Sequence, residues 1–202
     1  PELVLTGYPP RDLLYQKAIW DSHDRAIAHL KQTIAADKEQ ITVIMGGLHQ
    51  VELTHGQFAR YNAAFIIDKY GCKIVHKKLL PNYNIFEEHR WFTPAEPSES
   101  QLPIIIRDRY GVETDCDVLI CEDIWNYRFS CDTPWLSSSY RIDPVSNLRG
   151  RGPIFVINGS PFWENKVQSC IKLVGSIARD LKRPVVYVNQ IGAHDDIVTH
   201  GG

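Results

Sequence analysis

A cysteine and an acidic residue stand side by side where a short apolar run of the sequence ends. Residues 118–120 read Val-Leu-Ile, and Cys121 and Glu122 follow at once. Such a run predicts a buried strand, and α/β sheets carry reactive side chains at the carboxyl ends of their strands. A thiol held there is a candidate nucleophile, although cysteine is also among the residues most often buried for packing alone. The position of Cys121 by itself leaves both interpretations open.

A cysteine nucleophile needs one group to take its proton and another to stabilise the oxyanion that its attack creates. The chain has eight histidines, but none stands in a context that marks it as the base, so a Cys/His pair is possible but unmarked. A carboxylate can do this work if burial raises its pKa, and Glu2 precedes an apolar run and a Gly/Pro turn. Lys77 and Lys78 supply cations at the end of another predicted strand. A surface glutamate and a solvated pair of lysines are the ordinary alternatives.

The composition is that of one globular domain: 202 residues, 44% hydrophobic and 23% charged, with a formal net charge of -2. A nearly neutral chain without a long basic run is not expected to bind nucleic acid or a membrane surface. Its longest apolar runs are also too short to span a bilayer. Five cysteines without a Cys-x-x-Cys pair favour a reducing compartment, the cytoplasm, and give a structural metal site little support.

Short apolar runs alternate with helical patterns along the chain, which predicts an α/β layered fold. Apolar residues at helical spacing predict helices over residues 24–36 and 164–181. The predicted strands cover residues 41–45, 62–68, 72–76, 104–106, 118–120, 154–157 and 185–188. The second and third of these strands are separated by Lys-Tyr-Gly, which predicts a hairpin, so the sheet is not purely parallel.

The remaining segments lack a clear period. Residues 80–97 are expected to form a long ordered loop, and residues 133–152 a surface excursion with one helix. The segment 126–151 can be an inserted loop that contacts a partner domain. Because the chain opens on Pro-Glu and closes on Gly-Gly, we expect a piece that is truncated at both ends.

The segments around Glu2, Lys77 and Cys121 together resemble one family, the nitrilase-type carbon–nitrogen hydrolases, which use a Glu-Lys-Cys triad. The resemblance is closer still to the glutamine amidotransferase domain of glutamine-dependent NAD+ synthetases. The Tyr-Pro-Pro-x-Asp-Leu-Leu run and the Leu-Pro-Asn-Tyr run of this chain are specific to that branch. The matching segments are residues 1–14, 77–83, 86–88, 90–92, 121–125, 158–162 and 187–190.

The resemblance implies that residues 1–202 form a nitrilase-like glutaminase domain, an α-β-β-α sandwich with mixed sheets that is incomplete here and lacks a synthetase domain. It implies that Glu2 is the general base, Lys77 the family lysine and Cys121 the nucleophile, with Lys78 as the rival of Lys77. Glu88 then corresponds to a second glutamate that orients the lysine. The residues expected to line the pocket and hold the substrate are Tyr83, Glu88, Glu122, Trp125, Ser160 and Lys166.

The implied reaction is hydrolysis of the glutamine side-chain amide through a glutamyl thioester. Ammonia would pass to an ATP-dependent domain that amidates nicotinic acid adenine dinucleotide. The glutaminase step needs no cofactor or metal, and ATP and Mg²⁺ are implied only for the absent synthetase domain. The expected partners are glutamine, a synthetase domain (joined or separate) and further copies of the chain. Two alternatives stay open: a free-standing amidase acting on another small amide, and a non-catalytic partner or folding-incompetent fragment.

Overall fold

The computed structural model describes residues 1–38, 41–96, 103–127 and 140–202 of the chain. The predicted surface excursion therefore lies outside the described residues up to residue 139. From residue 140 the chain follows an irregular path that contains one short 3₁₀ turn, Val145–Asn147.

Three α-helices and nine strands make up the regular structure of the described residues. The helices are α1 (Lys17–Ala36), α2 (Glu88–Trp91) and α3 (Lys166–Leu181). The strands are β1 (Val43–Glu52), β2 (Phe58–Asp68), β3 (Gly71–His76), β4 (Ile104–Arg107), β5 (Glu113–Ile120), β6 (Ile154–Asn158), β7 (Val185–Asn189), β8 (Ile191–His194) and β9 (Ile197–His200). Helix α1 begins before the predicted residue 24 because Trp20 packs on the buried cluster around Leu14. Within the described ranges, no helix combines the length and the apolar character that a membrane crossing requires.

The first sheet is an antiparallel meander in the order β1-β2-β3. The predicted hairpin between β2 and β3 is confirmed. The prediction that the first strand covers only residues 41–45 is wrong, because Gly46 and Gly47, which were expected to end it, pair with residues of β2 and the strand continues to Glu52. The backbone of a glycine can join a β-ladder like any other residue, so glycine alone does not end a strand.

The second sheet has the order β4-β5-β6-β7, with β4 antiparallel to β5 and the other two pairs parallel. The carboxyl ends of β5, β6 and β7 therefore lie at one edge, and the residues that follow them come together. The hairpin of β8 and β9 was not predicted. Its strands are four residues each and β8 is mostly exposed, so they carry little apolar signal.

Successive residues of a strand point to opposite faces, and the buried clusters follow this alternation. In β2, Phe65 packs with residues of α1, whereas Ile66 packs with residues of the second sheet. In β5, Val118 faces the first sheet, whereas Leu119 packs with residues of α3. The layers therefore run α1, first sheet, second sheet, α3, and the predicted mixed α/β layered fold is confirmed.

Candidate active site

Cys121 lies at the junction between strand β5 and the 3₁₀ turn Cys121–Ile124. Its φ of 46° falls in the left-handed region, which a residue with a Cβ adopts only under strain. A nucleophile on a sharp turn at a strand end projects its reactive atom at the edge of the sheet. The side chain is 5% exposed and forms part of the wall of a cleft.

Three charged side chains form a buried chain beside Cys121. The amine of Lys77 lies 2.7 Å from Glu2 Oε1 and 2.7 Å from Glu88 Oε1. Glu2 and Lys77 are both 0% exposed, so water does not screen this ion pair. The hydroxyl of Tyr8 donates to Glu88 Oε1 at 2.6 Å and extends the chain away from the cleft.

Glu2 is fixed by polar partners from both sheets. Its Oε1 accepts a hydrogen bond from Asn62 Nδ2 at 2.7 Å, and its Oε2 accepts one from the backbone N–H of Gly159 at 2.9 Å. The amide of Gln190 donates to the carbonyl oxygen of Glu2 at 2.7 Å. Asn62 lies on β2 in the first sheet and Gly159 follows β6 in the second, so the carboxylate lies between the two sheets.

Two glycines leave room for the backbone of Glu2 and for the side chain of Tyr8. A Cβ on Gly46 of β1 would lie 2.6 Å from Glu2 Cα. A Cβ on Gly159 would lie 2.9 Å from the Cβ of Tyr8. Both distances are below those that real Cβ atoms reach, so a larger residue would displace the Glu2 backbone at the first position and the Tyr8 side chain at the second.

Burial dominates the electrostatics of the site. It raises the pKa of Cys121 well above its usual value. The negative charge of Glu2 raises this pKa further, and the positive charge of Lys77 lowers it. Because the pKa is raised overall, the resting sulfur is a thiol. Burial lowers the pKa of Lys77, but the negative charges of Glu2 and Glu88 raise it by more than burial lowers it. The pKa of Lys77 is therefore raised overall, and the amine stays charged. Burial together with the charge of Glu2 raises the pKa of Glu88 to about 7, although Lys77 acts against it.

Asp123 connects the lysine segment to the cysteine turn. Its Oδ1 accepts the backbone N–H groups of Lys78 at 3.0 Å and Leu79 at 2.9 Å, and its Oδ2 accepts that of Ile120 at 3.1 Å. Asp123 is buried, and burial raises its pKa to about 6. One carboxylate thus joins the segment after β3 to the end of β5.

The cleft in front of Cys121 has a volume of about 330 Å³, within the range of small-ligand sites. Its walls come from the loop after β3, the cysteine turn and the segment from Ser160 to the start of α3. The lining residues are Pro81, Tyr83, Asn84, Ile85, Phe86, Cys121, Glu122, Trp125, Ser160, Pro161, Phe162, Trp163 and Lys166. A larger cavity of about 820 Å³ lies between α1 and the first sheet, but its lining includes none of the predicted site residues.

Opposite charges stand on two walls of the cleft. Glu122 accepts hydrogen bonds from the hydroxyls of Tyr83 at 3.0 Å and Tyr140 at 3.1 Å, and burial raises its pKa. Lys166 is 2% exposed, and burial lowers its pKa to about 8. In the described part of the chain, neither side chain forms an ion pair. The cleft thus has a carboxylate on one wall and an amine on another, an arrangement that suits a ligand with charges of both signs.

The structure brings all the predicted site residues to this one region. Lys77, rather than Lys78, points its amine at the two carboxylates. Lys78 is joined to the site through its backbone N–H. Trp125 lies over the amine of Lys166, and the backbone N–H of Ser160 donates to Asn189 Oδ1 at 2.8 Å.

Sequence reasoning missed several residues that hold the site together. Asn62, Asp123, Tyr140 and Trp163 were assigned no role. Asn62 left a signal, since it is the polar first residue of the predicted strand 62–68. Asp123 left another, since it comes two residues after the candidate nucleophile. The described His, Cys, Asp and Glu residues include no group able to hold a metal ion.

Comparison with known proteins gives this geometry a context. No protein-family model matches the chain. A glutamine-dependent NAD(+) synthetase from Synechocystis sp. is 31% identical over 208 residues, covering 100% of this chain and 34% of that protein. The structure of glutamine-dependent NAD+ synthetase from Acinetobacter baumannii in complex with ADP matches with a TM-score of 0.73 and 28% identity, over 100% of this chain and 33% of that one. The chain thus spans about a third of the length of the synthetases it matches.

An amidase of the nitrilase superfamily from Nesterenkonia AN1 shares the fold. Its structure matches with a TM-score of 0.66 and 19% identity, over 98% of this chain and 64% of that one. In another structure of that amidase, a mutant, the acetamide moiety of fluoroacetamide is covalently added at the active site cysteine. The chain is homologous over its whole length to the N-terminal part of glutamine-dependent NAD(+) synthetases, and it matches part of the mixed α/β fold of nitrilase-superfamily amidases.

Proposed function

We propose that the cleft hydrolyses the side-chain amide of glutamine, with Cys121 as the nucleophile, Glu2 as the general base and Lys77 as the cation that stabilises the oxyanion. The observation that carries this proposal is the buried ion pair of Glu2 and Lys77 beside a strained cysteine in the cleft wall. Homology to glutamine-dependent synthetases supports glutamine as the substrate.

The first half of the reaction forms a thioester. Glu2 takes the proton of the Cys121 thiol while the sulfur attacks the side-chain carbonyl carbon of glutamine. The amine of Lys77 and the backbone N–H of Glu122 stabilise the oxyanion of the tetrahedral intermediate. The proton then passes from Glu2 to the leaving nitrogen, the C–N bond breaks, and ammonia departs. Because the resting thiol has a raised pKa, proton removal must accompany the attack.

The second half releases the product. Glu2, again ionised, takes a proton from a water molecule as its oxygen attacks the thioester carbon. The C–S bond breaks, the proton passes to the sulfur, and glutamate leaves with the cysteine restored. One carboxylate serves both halves, and its bonds to Asn62 and Gly159 keep it in place for each.

The walls of the cleft suit the free amino-acid end of glutamine. We assign the α-carboxylate to Lys166, with the segment at Ser160 beside it, and the α-ammonium group to Glu122. Tyr83 orients the Glu122 carboxylate through its hydroxyl. Two charges of opposite sign on facing walls would favour a zwitterion over a neutral amide.

The matched synthetases are about three times as long as the chain. We therefore assign the use of the released ammonia to a domain other than the one formed by these residues. We propose that this region is the glutaminase part of a NAD+-forming assembly. In that assembly, a synthetase domain uses ATP and Mg²⁺ to amidate nicotinic acid adenine dinucleotide. The glutaminase step itself requires no cofactor.

The decisive experiment measures ammonia release from glutamine by the protein and its Cys121→Ala variant. We expect release by the wild type and a loss of at least about a thousandfold in the variant. Cys72→Ala is the matched control, since Cys72 lies on β3 outside the cleft, and it should keep full activity. A diazoketone analogue of glutamine should react covalently with Cys121 and leave Cys72 unlabelled. Retained activity in Cys121→Ala would contradict the proposal.

The apolar part of the cleft favours one second candidate, an amidase for another small amide. Phe86, Trp125 and Phe162 line the same space. A panel of amides separates the two functions, because turnover of neutral amides together with indifference to glutamine would favour the second.

A further inference from the structure

The amine of Lys166 lies between two indole rings. It is 4.0 Å from the ring centroid of Trp125 and 3.4 Å from that of Trp163. Ammonium groups within about 6 Å of an aromatic face are attracted to it, and more strongly when water is excluded. The backbone N–H of Lys166 donates to the carbonyl oxygen of Trp163 at 3.1 Å, a tight turn that brings the indole of Trp163 over the lysine.

The location of Lys166 is otherwise unfavourable for a cation. It is the first residue of α3, where the helix dipole opposes positive charge. It is 2% exposed, and among the described residues no carboxylate pairs with it. The two aromatic faces are therefore the main groups that hold the ammonium in place. Burial lowers the pKa of Lys166 to about 8, as expected for an amine without a carboxylate partner.

We propose that Trp163 is a specificity-determining positioning residue, whose indole holds the Lys166 ammonium against Trp125 as the anchor for a substrate carboxylate. This inference rests on the proposed hydrolysis of glutamine and deepens it. Trp163 does not touch the reacting amide in this assignment; it acts through the lysine. Its removal should weaken the binding of carboxylate-bearing substrates and leave the chemical step unchanged.

The kinetic test compares two substrates in wild type, Trp163→Leu and Trp163→Phe. The substrates are glutamine and 4-aminobutanamide, which has the same side-chain amide and amine but no α-carboxylate. For Trp163→Leu we expect the KM for glutamine to rise about tenfold, kcat to change less than about twofold, and kcat/KM for 4-aminobutanamide to stay constant. Trp163→Phe keeps an aromatic face and should restore most of the loss. An equal loss for both substrates, or a phenylalanine variant no better than leucine, would overturn the proposal.

The matched control is Trp20→Leu, which removes an indole from α1, away from the cleft. Its KM for both substrates should equal that of the wild type. If its KM rose for glutamine but not for 4-aminobutanamide, loss of a distant indole would have the same effect as loss of Trp163. That result would overturn the proposal.

A spectroscopic readout separates this inference from the proposed function. The ε-methylene protons of Lys166 should show a strong upfield ring-current shift in the wild type, and Trp163→Leu should lose a large part of it. Absence of that shift overturns the positioning role whatever the activity. If the shift is present but glutamine is not hydrolysed, the proposed function fails, while the aromatic arrangement around Lys166 stands.

Discussion

The two ends of the candidate site differ in how their charges are paired. At the proposed catalytic end, behind the cleft wall, Lys77 is paired at 2.7 Å with both Glu2 and Glu88, away from water. At the proposed binding end, Glu122 accepts hydrogen bonds from tyrosine hydroxyls and Lys166 lies against indole faces, and neither forms an ion pair with a described residue. The charges at the proposed catalytic end are therefore paired within the protein, whereas those at the proposed binding end are held by hydroxyls and ring faces.

This contrast separates two physical tasks. Groups that stabilise a transition state are most effective when the folded chain has already fixed them, because no reorganisation is then needed during the reaction. Groups that select a substrate must keep part of their interaction energy unused until the substrate arrives. The hydroxyls and ring faces lower the cost of burying Glu122 and Lys166 without providing a full counter-charge.

The largest effect should come from removing the cation at the catalytic end. Lys77→Met leaves the carboxylates of Glu2 and Glu88 buried without their cation, so we expect the free energy of unfolding to fall by about 3–5 kcal/mol and ammonia release to disappear. Urea unfolding and an ammonia assay measure the two effects.

Lys73→Met is the matched control for that experiment. Lys73 lies on β3, in the strand that leads to Lys77, and its side chain is exposed. Its free energy of unfolding should change by about 1 kcal/mol or less. Equal losses in the two variants would mean that the ion pair is not what stabilises the catalytic end.

A pH profile sharpens the comparison at the binding end. Burial lowers the pKa of Lys166 to about 8, so its ammonium loses its proton as the pH rises through that value. The KM for glutamine should therefore rise above pH 8, by up to about tenfold for each pH unit. The pKa of Lys77 is raised instead, so the catalytic cation keeps its charge over this range.

Lys166→Arg isolates that titration, because a guanidinium group stays charged throughout the range. The rise in KM that begins at pH 8 should be absent in this variant, whereas the titration of glutamine's own amine appears in both proteins. The same rise in the arginine variant would rule out Lys166 as its source.

The smallest effect should come from removing one hydroxyl at Glu122. Tyr140→Phe leaves Tyr83 as a donor to this carboxylate, so we expect the KM for glutamine to rise by roughly threefold to tenfold at constant kcat. Tyr127→Phe removes a hydroxyl that donates to Asp180 outside the cleft and should leave KM unchanged. A fall in kcat with constant KM for Tyr140→Phe would place this tyrosine in the chemical step instead.

The sequence predicted the fold best where apolar residues repeat regularly. The helical period over residues 164–181 and the runs that became β6 and β7 correspond closely to elements of the structure. The run at residues 118–120 is only the buried end of β5, which begins at Glu113. The path of β1 through Gly46 and Gly47 was missed, because ladder pairing with β2 outweighs the low strand propensity of glycine.

The candidate site followed from resemblance more than from local pattern. The contexts of Glu2, Lys77 and Cys121 are ordinary when taken one at a time, and only their combination pointed to a triad. Trp163 could not be assigned, since its role depends on the turn that carries it back over Lys166. Tyr140 could not be assigned either, because its hydroxyl contacts Glu122, a residue distant in the sequence, and no local sequence pattern predicts that contact.

The three N–H groups received by Asp123 have a mechanical consequence. They come from both sides of the interface between the sheets, two after β3 and one at the end of β5. The sheets cannot shear past one another at this point without breaking these bonds in a buried location. These bonds therefore constrain the distance between the segment that carries Lys77 and the turn that carries Cys121.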